Sequence, residues 1–381
     1  MPSRIGFVAS NSDLGKSGIG QYEMHIARYV PQADPDDDFV LIAREDSLSS
    51  FPPASAKFSI HTYGKKMENK KLNLLWHHAC IPRIAKKQKL DLLHLSSQQR
   101  LLSRRPCKLV GAIHDLGTYH VKNKYGRLRD FYMRRLGRYF AHKLDHVITI
   151  SNFSKNDIIN FFGIPEDRIT VTYLGLDLNR FRPRDRAECR EKIAQKHGFR
   201  EPFIVYIARL DHPSKNHVTL LKAYSILRKK YGVEHKLVLG GTKWFGAEII
   251  FQTVEALGLK DHVVFAGFVS DDDLPVMYSA ADMQVFPTLF EGFGFPPLES
   301  MACGTPVACS NVSAVPEVVG EAAVLFDPLS PEEIASSVNS ILSNPVLCGN
   351  LVRKGLEHAR QFTWEETARR TIEVYRKVLG K

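Results

Sequence analysis

The amino-acid sequence predicts an α/β protein with two doubly wound domains, each built on a parallel sheet, that face each other across a central cleft. The first observation is the length of 381 residues, which is about twice the usual size of a single domain. The second is that short apolar runs alternate with helical patterns in both halves, as in parallel sheets covered by helices. The third is a polar, charge-rich segment, Asp177–Glu188, which is the predicted linker.

The first half contains apolar runs with the composition of buried strands. In chain order they are RIGFVAS, DFVLIAR, DLLHLSS, KLVGAIHDL, HVITIS and RITVTYLG. Amphipathic stretches separate several of them, including IGQYEMHIARYV, NLLWHHACIPRIAKK and SKNDIINFFG. We therefore predict a first doubly wound domain over residues 1–178.

The second half repeats this alternation. Its apolar runs are FIVYIAR, KLVLGG, VVFAGFV, MQVFPTL, PVACS and AVLFD. The helical patterns between them include HVTLLKAYSILRKKYG, DDDLPVMYSAAD and PEEIASSVNSILS. We predict a second doubly wound domain over residues 179–363, followed by a last helical stretch within residues 364–381.

The composition favours a globular protein of the cytoplasm. No apolar run approaches the roughly 20 residues that a membrane-spanning helix needs. We expect no secretory signal, because the apolar segment RIGFVAS after Met1 is too short and lacks a cleavage pattern. The six cysteines are scattered and form no CxxC pair, which is typical of a reduced compartment.

The net charge of +11 lies entirely in the first half. Residues 1–180 hold 28 Lys and Arg against 17 Asp and Glu, whereas residues 181–381 hold 24 of each kind. Lys65–Lys108 contains 12 basic and two acidic residues, and Lys122–Lys143 contains eight and one. Such a surface attracts anionic lipid, nucleic acid or a charged substrate, although ordinary solvated helix faces are also basic.

Apolar side chains interleave with these bases at two places, Leu74–Trp76 and Phe131–Met133. A basic amphipathic surface of this kind docks on anionic lipid headgroups. We therefore predict peripheral attachment of the first domain to the inner face of the cytoplasmic membrane. The alternative is that these apolar side chains belong to the core and that the bases are merely solvated.

The loops that follow strands are the candidate site, because doubly wound sheets bind ligands at the carboxyl ends of their strands. The first such loop, SNSDLGKSGIGQYE, opens a helix, and Gly15, Gly18 and Gly20 allow close backbone approach to an anion. Its glycine spacing matches neither a Walker A loop nor GxGxxG. A tight structural turn explains the glycines equally well.

The loop IARLDHPSKNH follows the strand FIVYIA and carries two cations, Arg209 and Lys215, before a helix that begins near His217. An arginine can hold phosphate oxygens with two hydrogen bonds, and a lysine adds a mobile point charge. The alternative is two exposed loop cations without a ligand.

The loop EGFGF after the strand MQVFPTL leads into a short helix. Pro296 and Pro297 mark the predicted start of this helix, and Gly304 marks its end. Glu299 is predicted to lie in the first turn, eight residues after Glu291.

Two carboxylates at this spacing need an explanation. Interaction with the helix dipole explains Glu299 but neither Glu291 nor the glycines. A ligand with vicinal hydroxyl groups explains both carboxylates, because each can accept two hydrogen bonds. The backbone N–H groups of Gly294 and Phe295 are candidates for contact with a phosphate.

The segment GAIHDLGTY places His114 at the end of a strand in the first half. An imidazole there can donate to a phosphate oxygen or to a sugar hydroxyl, and a structural role is also open. Ser270 and Asp273 in VSDDDLP resemble a helix cap rather than a metal-binding DxD pair. No cluster of His, Cys and Asp has metal-ligand spacing, so we predict no catalytic metal.

Together these loops resemble the retaining nucleotide-sugar glycosyltransferases of family 4, and most of all the mannosyl-type transferases of surface polysaccharide and O-antigen assembly. The stretch EGFGFPPLESMACGTPVACSNVSAVPEVVG resembles the family's signature of two glutamates separated by seven residues. The resemblance covers essentially the whole chain and implies the GT-B architecture of two facing Rossmann-like domains. It also implies that the last helix, WEETARRTIEVYRKVL, crosses back to pack on the first domain.

The resemblance implies a set of donor-site residues, which are Gly18, Ile19, His114, Arg209, Lys215, Glu291, Gly294, Phe295 and Glu299. By family analogy Glu299 holds the ribose hydroxyls, Glu291 holds hydroxyls of the donor sugar, and His114 contacts the sugar or phosphate from the first domain. Without a metal, the charge of the leaving diphosphate falls to Arg209, Lys215 and the two helix amino termini.

The implied reaction is transfer of a hexosyl unit with retention of configuration, with no cofactor and with a phosphate oxygen taking the acceptor proton. The loop SGIGQY and the element HDL resemble those of mannosyl-type transferases, which implies GDP-mannose, or a related GDP-deoxyhexose, as the donor in preference to a UDP-sugar. A saccharide, most simply a lipid-linked one, is the expected acceptor. An epimerase or phosphorylase of the same fold remains an alternative. A nucleic-acid-binding protein is suggested by charge alone, without a motif, so we predict no nucleic-acid partner.

Overall fold

The structure, a computed structural model, describes residues 2–9, 17–64, 70–121 and 131–381. It divides into two compact units. The first comprises Met1–Gly175 and Thr363–Lys381, and the second comprises Leu176–Phe362. The glycine-rich loop before Gly18 and parts of both basic stretches, residues 65–69 and 122–130, lie outside the described residues.

The first unit contains a parallel sheet of seven described strands. They are β1 Arg4–Ala9, β2 Asp38–Arg44, β3 Phe58–Tyr63, β4 Leu92–Leu95, β5 Lys108–Ala112, β6 His146–Thr149 and β7 Ile169–Val171. Their order across the sheet is β3-β2-β1-β4-β5-β6-β7. β4 and β6 are buried along their whole length, which explains why these strands read as continuous apolar runs.

Helices connect these strands. The described α-helices are Gly18–Ala33, Lys70–Lys87, Gly117–His120, Arg138–Ala141, Asn152–Asp157 and Trp364–Leu379. Two segments, Tyr132–Gly137 and Ile158–Phe162, form π-helical turns. Short 3₁₀ turns cover Glu45–Ser50, Gln98–Arg100 and Glu166–Arg168.

The second unit contains a parallel sheet of six strands. They are β8 Phe203–Ile207, β9 Lys236–Gly240, β10 Val263–Gly267, β11 Met283–Phe286, β12 Val307–Ser310 and β13 Ala323–Phe326, in the order β10-β9-β8-β11-β12-β13. Its helices are Arg186–His197, His217–Tyr231, Ala247–Ala256, Leu274–Ala280, Phe295–Ala302, Val315–Val319, Pro331–Ser343 and Pro345–Ala359.

Both sheets reverse their winding direction once. In the first unit, β1 lies between β2 on one side and β4 on the other. In the second unit, β8 lies in the same way between β9 and β11. Each sheet is therefore of the Rossmann type, and its ligand crevice is expected where β1 and β4, or β8 and β11, diverge. In the second unit this point lies between the loops that carry Lys215 and Glu291, because these loops follow β8 and β11.

The predicted strands all appear, and one strand that the sequence analysis did not predict is added. This strand, β3, reads FSIHTY and pairs with β2 at the edge of the first sheet. Its side chains are partly exposed, so it carries none of the continuous apolar character that identified the buried strands.

The chain passes from the first unit to the second between Gly175 and Leu176, just before the predicted linker. Leu176 N–H donates to the carbonyl of Phe362 at 3.0 Å, so the outgoing and returning segments pair with each other. Gly175 has no room for a side chain, because an added Cβ would lie 2.2 Å from the backbone nitrogen of Trp364. The predicted linker, Asp177–Glu188, instead belongs to the second unit, and its last residues begin the helix Arg186–His197.

The C-terminal helix, Trp364–Leu379, belongs to the first unit, where it packs on the first helix, Gly18–Ala33. Thr363 caps it by accepting a hydrogen bond from the N–H of Glu366 at 3.2 Å. Beyond its end, Lys381 pairs with the buried carboxylate of Asp37 at 2.8 Å.

The apolar side chains that interleave with bases fall into two groups. Trp76 packs against Tyr63 with ring centroids 4.2 Å apart, and Met133 is buried, so these two belong to the core. Leu75 and Phe131 are exposed. No described helix is both long enough and apolar enough to cross a bilayer.

Candidate active site

A lysine and a glutamate meet where the second sheet reverses direction. Lys215 follows β8, Glu291 follows β11, and the Lys215 Nζ donates to the Glu291 Oε1 at 2.5 Å. Their side chains are only 18% and 20% exposed. The structure thus brings together two residues that the sequence placed on separate loops, in a half-buried ion pair at the expected crevice.

Backbone and hydroxyl contacts fix the position of Glu291. Its N–H donates to the Ser313 Oγ at 2.9 Å, and its carbonyl accepts from the N–H of Ala314 at 3.3 Å. The Thr288 hydroxyl donates to the carboxylate Oε1 at 3.2 Å. Ser313 and Ala314 thus fix the main chain of Glu291, and Lys215 and Thr288 hold its carboxylate.

An asparagine in the left-handed conformation positions Lys215. Asn216 has a φ of 57° and precedes the helix His217–Tyr231. Its side-chain amide donates to the carbonyls of Pro287 and Pro328 at 2.9 and 2.7 Å. These bonds tie the end of the β8 loop to the segments after β11 and β13, which explains why an amide side chain occupies this strained position.

Arg209 lies on the same loop as Lys215 but faces solvent. Its guanidinium lies over the ring of Trp244, 4.8 Å from the ring centroid. No hydrogen bond or ion pair joins Arg209 to another described residue. Its donors are therefore available to an anionic ligand.

Gly294 begins the helix Phe295–Ala302 from a left-handed conformation. Its φ is 102°, a value that glycine adopts without strain. The helix begins one residue before Pro296, so the predicted Pro-led start is displaced by one position. The backbone nitrogens of Gly294 and Phe295 lie at this helix start, which is where the predicted contact with a phosphate places them.

Glu299 is not in the first turn of this helix, contrary to the prediction. The helix starts at Phe295, so Glu299 is its fifth residue and is too far along to interact with the dipole at the N-terminus. Its carboxylate instead accepts a hydrogen bond from the Tyr278 hydroxyl at 2.9 Å. Burial raises the pKa of Glu299 to about 7, against the opposing effects of the Tyr278 hydrogen bond and the nearby Arg180.

His114 is buried at the end of β5 in the first unit. Its Nε2 lies 2.8 Å from the carbonyl oxygen of Ser96, and because a carbonyl only accepts, Nε2 carries the proton. Burial lowers the pKa of His114, so the ring is neutral and its Nδ1 is an acceptor. With Nε2 engaged, the neutral ring has no N–H left for the predicted donation to a phosphate oxygen or to a sugar hydroxyl, but its Nδ1 can accept from a sugar hydroxyl.

Two tyrosines and a second histidine support His114. The Tyr22 ring meets the His114 ring edge-on with centroids 4.9 Å apart. The Tyr22 hydroxyl lies 3.2 Å from the His94 Nε2, and the Tyr375 hydroxyl lies 2.7 Å from the His94 Nδ1. Burial lowers the pKa of His94 to about 3, so this neutral ring has one N–H and one tyrosine must donate while the other accepts.

Gly18 and Ile19 are the first two residues of the first helix. Ser17 caps this helix by accepting from the N–H of Gly20 at 3.1 Å. The backbone N–H groups of Gly18 and Ile19 thus lie at the amino terminus of a 16-residue helix, as an anion-binding role requires.

The acidic segment after β10 is engaged by cations. Asp271 pairs with Arg180 at 3.1 Å, and Asp273 pairs with Lys196 at 2.6 Å. The Ser270 hydroxyl donates to the Asp273 carboxylate, and the Asp273 N–H donates back to the Ser270 hydroxyl. The N-cap of the helix Leu274–Ala280 is Asp273 and makes no side-chain cap bond, so the predicted cap at Ser270 is not formed. No group of three metal-ligating side chains occurs among the described residues.

The sequence analysis did not single out four residues that contact the candidate site, which are Trp244, Tyr278, Thr288 and Ser313. Trp244, Tyr278 and Ser313 lie more than 20 residues from their partners in the sequence, so local patterns do not reveal these contacts. Thr288 is the exception, because it precedes Glu291 by three residues. The WF pair in the loop after β9 was the one available signal, because two large apolar side chains are unusual in a loop.

Two family models together match most of the chain. Residues 17–180 match the model described as Glycosyltransferase Family 4, and residues 189–358 match the model described as Glycosyl transferases group 1. The boundary between these matches lies near the boundary between the two units.

Curated relatives are similar over most of this chain. It is 32% identical over 275 residues to O-antigen chain mannosyltransferase B of Escherichia coli, and the match covers 72% of each protein. It is 31% identical over 282 residues to serotype-specific mannosyltransferase WbdA of Escherichia coli, a match that covers 72% of this chain and 34% of WbdA.

A solved structure shares the fold across both units. The Anabaena protein HepE, determined in complex with UDP and glucose, aligns with a TM-score of 0.77 over 98% of this chain and 100% of its own. The sequence identity is 20%, so the likeness concerns the fold.

Proposed function

The chain belongs to glycosyltransferase family 4 and has the GT-B fold, and on this premise we propose that it is a retaining, metal-independent hexosyltransferase. It moves a mannose-type sugar from a nucleoside diphosphate to a saccharide or lipid-linked acceptor during synthesis of a cell-surface polysaccharide. A GDP-sugar is the favoured donor. The printed name of the Escherichia coli mannosyltransferase that matches over 72% of both chains supports the choice of mannose.

The contact between Lys215 and Glu291 carries this proposal. A cation beside a carboxylate suits a donor in which an anionic diphosphate is bonded to a hydroxyl-rich sugar. Lys215 has three donor protons, so it can hold Glu291 and a phosphate oxygen together. Glu291 accepts from Lys215 and Thr288 through Oε1, which leaves Oε2 to accept from a sugar hydroxyl.

Charge develops on the leaving diphosphate as the glycosidic bond breaks. Arg209, Lys215 and the N–H groups of Gly294 and Phe295 stabilise it, because fixed donors outside bulk water need no reorganisation during the reaction. A phosphate oxygen of the leaving group takes the acceptor proton on the face that the diphosphate leaves. No protein side chain acts as a dedicated base in this scheme.

Glu299 and Tyr278 serve the nucleoside. A carboxylate that already accepts from the Tyr278 hydroxyl at Oε2 retains acceptor capacity for the two vicinal hydroxyls of a ribose. Hydroxyl donors bind the ionised form of Glu299 better than its protonated form. Because the pKa of Glu299 is about 7, affinity for the donor should fall as the pH drops below 7.

The first unit supplies the remaining contacts. His114 accepts from a hydroxyl of the donor sugar through Nδ1, and the helix start at Gly18 and Ile19 contacts phosphate or sugar oxygens. The network of Tyr22 and His94 fixes the His114 ring in this orientation.

The first unit also attaches to anionic membrane. Phe131, Leu136 and Tyr139 are exposed. Residues 131–144 contain no Asp or Glu and four bases, which are Arg134, Arg135, Arg138 and Lys143. A π-helical turn spans Tyr132–Gly137, so it begins directly after Phe131 and contains Leu136. Apolar side chains flanked by arginines suit the interface of an anionic bilayer.

A donor screen tests the proposed function. GDP-, UDP- and ADP-sugars are each added in EDTA, and thermal unfolding and release of nucleoside diphosphate are measured. We expect GDP-mannose to raise the unfolding temperature most and to be hydrolysed slowly without an acceptor. An epimerase would change the sugar without releasing the nucleotide. Absence of stabilisation by every nucleotide sugar would overturn the proposal, and release that requires Mg²⁺ would overturn its metal-independent part.

A further inference from the structure

Trp244 is the aromatic partner of the arginine that the proposed function places on the leaving diphosphate. The Arg209 guanidinium lies 4.8 Å from the centroid of the Trp244 ring. The tryptophan is 57% exposed, although an indole of this size is normally buried. Its exposure therefore needs a reason other than packing of the core.

Backbone hydrogen bonds hold the two loops in register. Leu210 N–H donates to the Thr242 carbonyl at 2.9 Å, Trp244 N–H donates to the Leu210 carbonyl at 3.0 Å, and His212 N–H donates to the Phe245 carbonyl at 2.9 Å. These bonds extend the pairing of β8 with β9 beyond the edge of the sheet. The position of the indole relative to Arg209 is thus set by main chain rather than by flexible side chains.

Close backbone approach at Gly241 makes this pairing possible. Its φ is 153°, and an added Cβ would lie 2.0 Å from the Ala208 carbonyl oxygen. A side chain at this position would push the β9 loop away from the β8 loop. Gly241 therefore allows the close pairing of the two loops that places Trp244 beside Arg209.

An exposed arginine is otherwise mobile. Free rotation of its side chain is worth about 2 kcal/mol of entropy, and a cation–π contact at an exposed site recovers roughly 0.5–1 kcal/mol. We infer that Trp244 is a positioning residue, which holds the Arg209 guanidinium ready for the diphosphate and thereby lowers the barrier to its departure. This inference rests on the proposed function, because it requires Arg209 to act on the leaving group.

A double-mutant cycle tests the inference. Release of GDP from GDP-mannose is measured at saturating donor for Trp244→Ala, Arg209→Ala and the double variant. We expect Trp244→Ala to lower kcat roughly twofold to fivefold, which corresponds to the loss of an exposed cation–π contact of about 0.5–1 kcal/mol. In the Arg209→Ala background the same change should have no further effect, because its only route to the reaction has been removed.

Two further variants separate positioning from a structural role. Trp244→Phe keeps an aromatic face and should restore most of the lost kcat. Phe245→Ala removes the neighbouring aromatic side chain, which is 72% exposed, and should leave kcat unchanged. Thermal unfolding of all variants should match that of the parent chain, since neither side chain is part of the core.

The outcomes distinguish this inference from the proposed function. If Arg209→Ala releases GDP at the parent rate, the assigned role of Arg209 is wrong and the inference is overturned with it. If Arg209→Ala is strongly impaired while Trp244→Ala is unimpaired, or while the two losses multiply in the double variant, the inference alone is overturned.

Discussion

Replacement of Glu299 by glutamine should stabilise the second unit at high pH. The carboxyl group has a pKa of about 7 in the folded chain, against an ordinary value of 4.5, because burial disfavours its charge. Between these two values the folded chain binds more protons at this site than the unfolded chain does. Stability therefore falls as the pH rises from 4.5 to 7, and the full cost is present above pH 7.

The size of this cost follows from the pKa. A change from 4.5 to about 7 corresponds to roughly 3 kcal/mol of stability above pH 7. Glu299→Gln keeps the shape of the side chain and an oxygen that accepts from Tyr278, but it carries no charge. For a unit of this size, 3 kcal/mol corresponds to a rise in Tm of roughly 6–12 °C.

Thermal unfolding at two pH values is the assay. At pH 8 the glutamine variant should melt several degrees above the parent chain, and at pH 4.5 the two should coincide. Glu321→Gln is a matched control, because the Glu321 side chain is 90% exposed and should show little change at either pH. A variant that melts at or below the parent temperature at pH 8 would refute the reasoning.

The remaining predictions concern activity and membrane binding. Glu291→Ala should keep affinity for the nucleoside diphosphate but lose most sugar transfer, as nucleotide titration and turnover will show; transfer at the parent rate would contradict its role. Lys215→Ala should lower kcat on the order of 100-fold, with activity of the parent chain unaffected by EDTA; dependence of the parent chain on Mg²⁺ would contradict this account. The chain should sediment with anionic vesicles through its first unit and should dissociate from them as the salt concentration rises. The double variant Phe131→Ser, Leu136→Ser should bind these vesicles more weakly. Equal binding of the parent chain to neutral vesicles would exclude the proposed attachment.

The sequence predicted the architecture because burial on both faces leaves a local signature. Twelve strands were identified from short apolar runs, and the parallel arrangement followed from the helical patterns between them. β3 escaped prediction because it is an edge strand whose four middle residues are exposed or only partly buried. The linker was placed too late, because polar composition also describes the exposed entry to a domain.

The sequence indicated candidate site residues but not the contacts between them. Loop position and side-chain chemistry identified Lys215 and Glu291, yet the ion pair between them depends on the adjacency of β8 and β11. The position of Glu299 within its helix was predicted incorrectly, because the helix begins one residue earlier than the prolines indicated. The tautomer of His114 depended on a carbonyl 18 residues away in the chain, which no local pattern indicates.

The product of the reaction tests the central claim most directly. The chain is incubated in EDTA with GDP-mannose and a saccharide acceptor that ends in mannose, and NMR then establishes the configuration of the new linkage. This account predicts release of GDP together with an α-linked product, which retains the configuration of the donor. A β-linked product, or transfer without release of a nucleoside diphosphate, would contradict it.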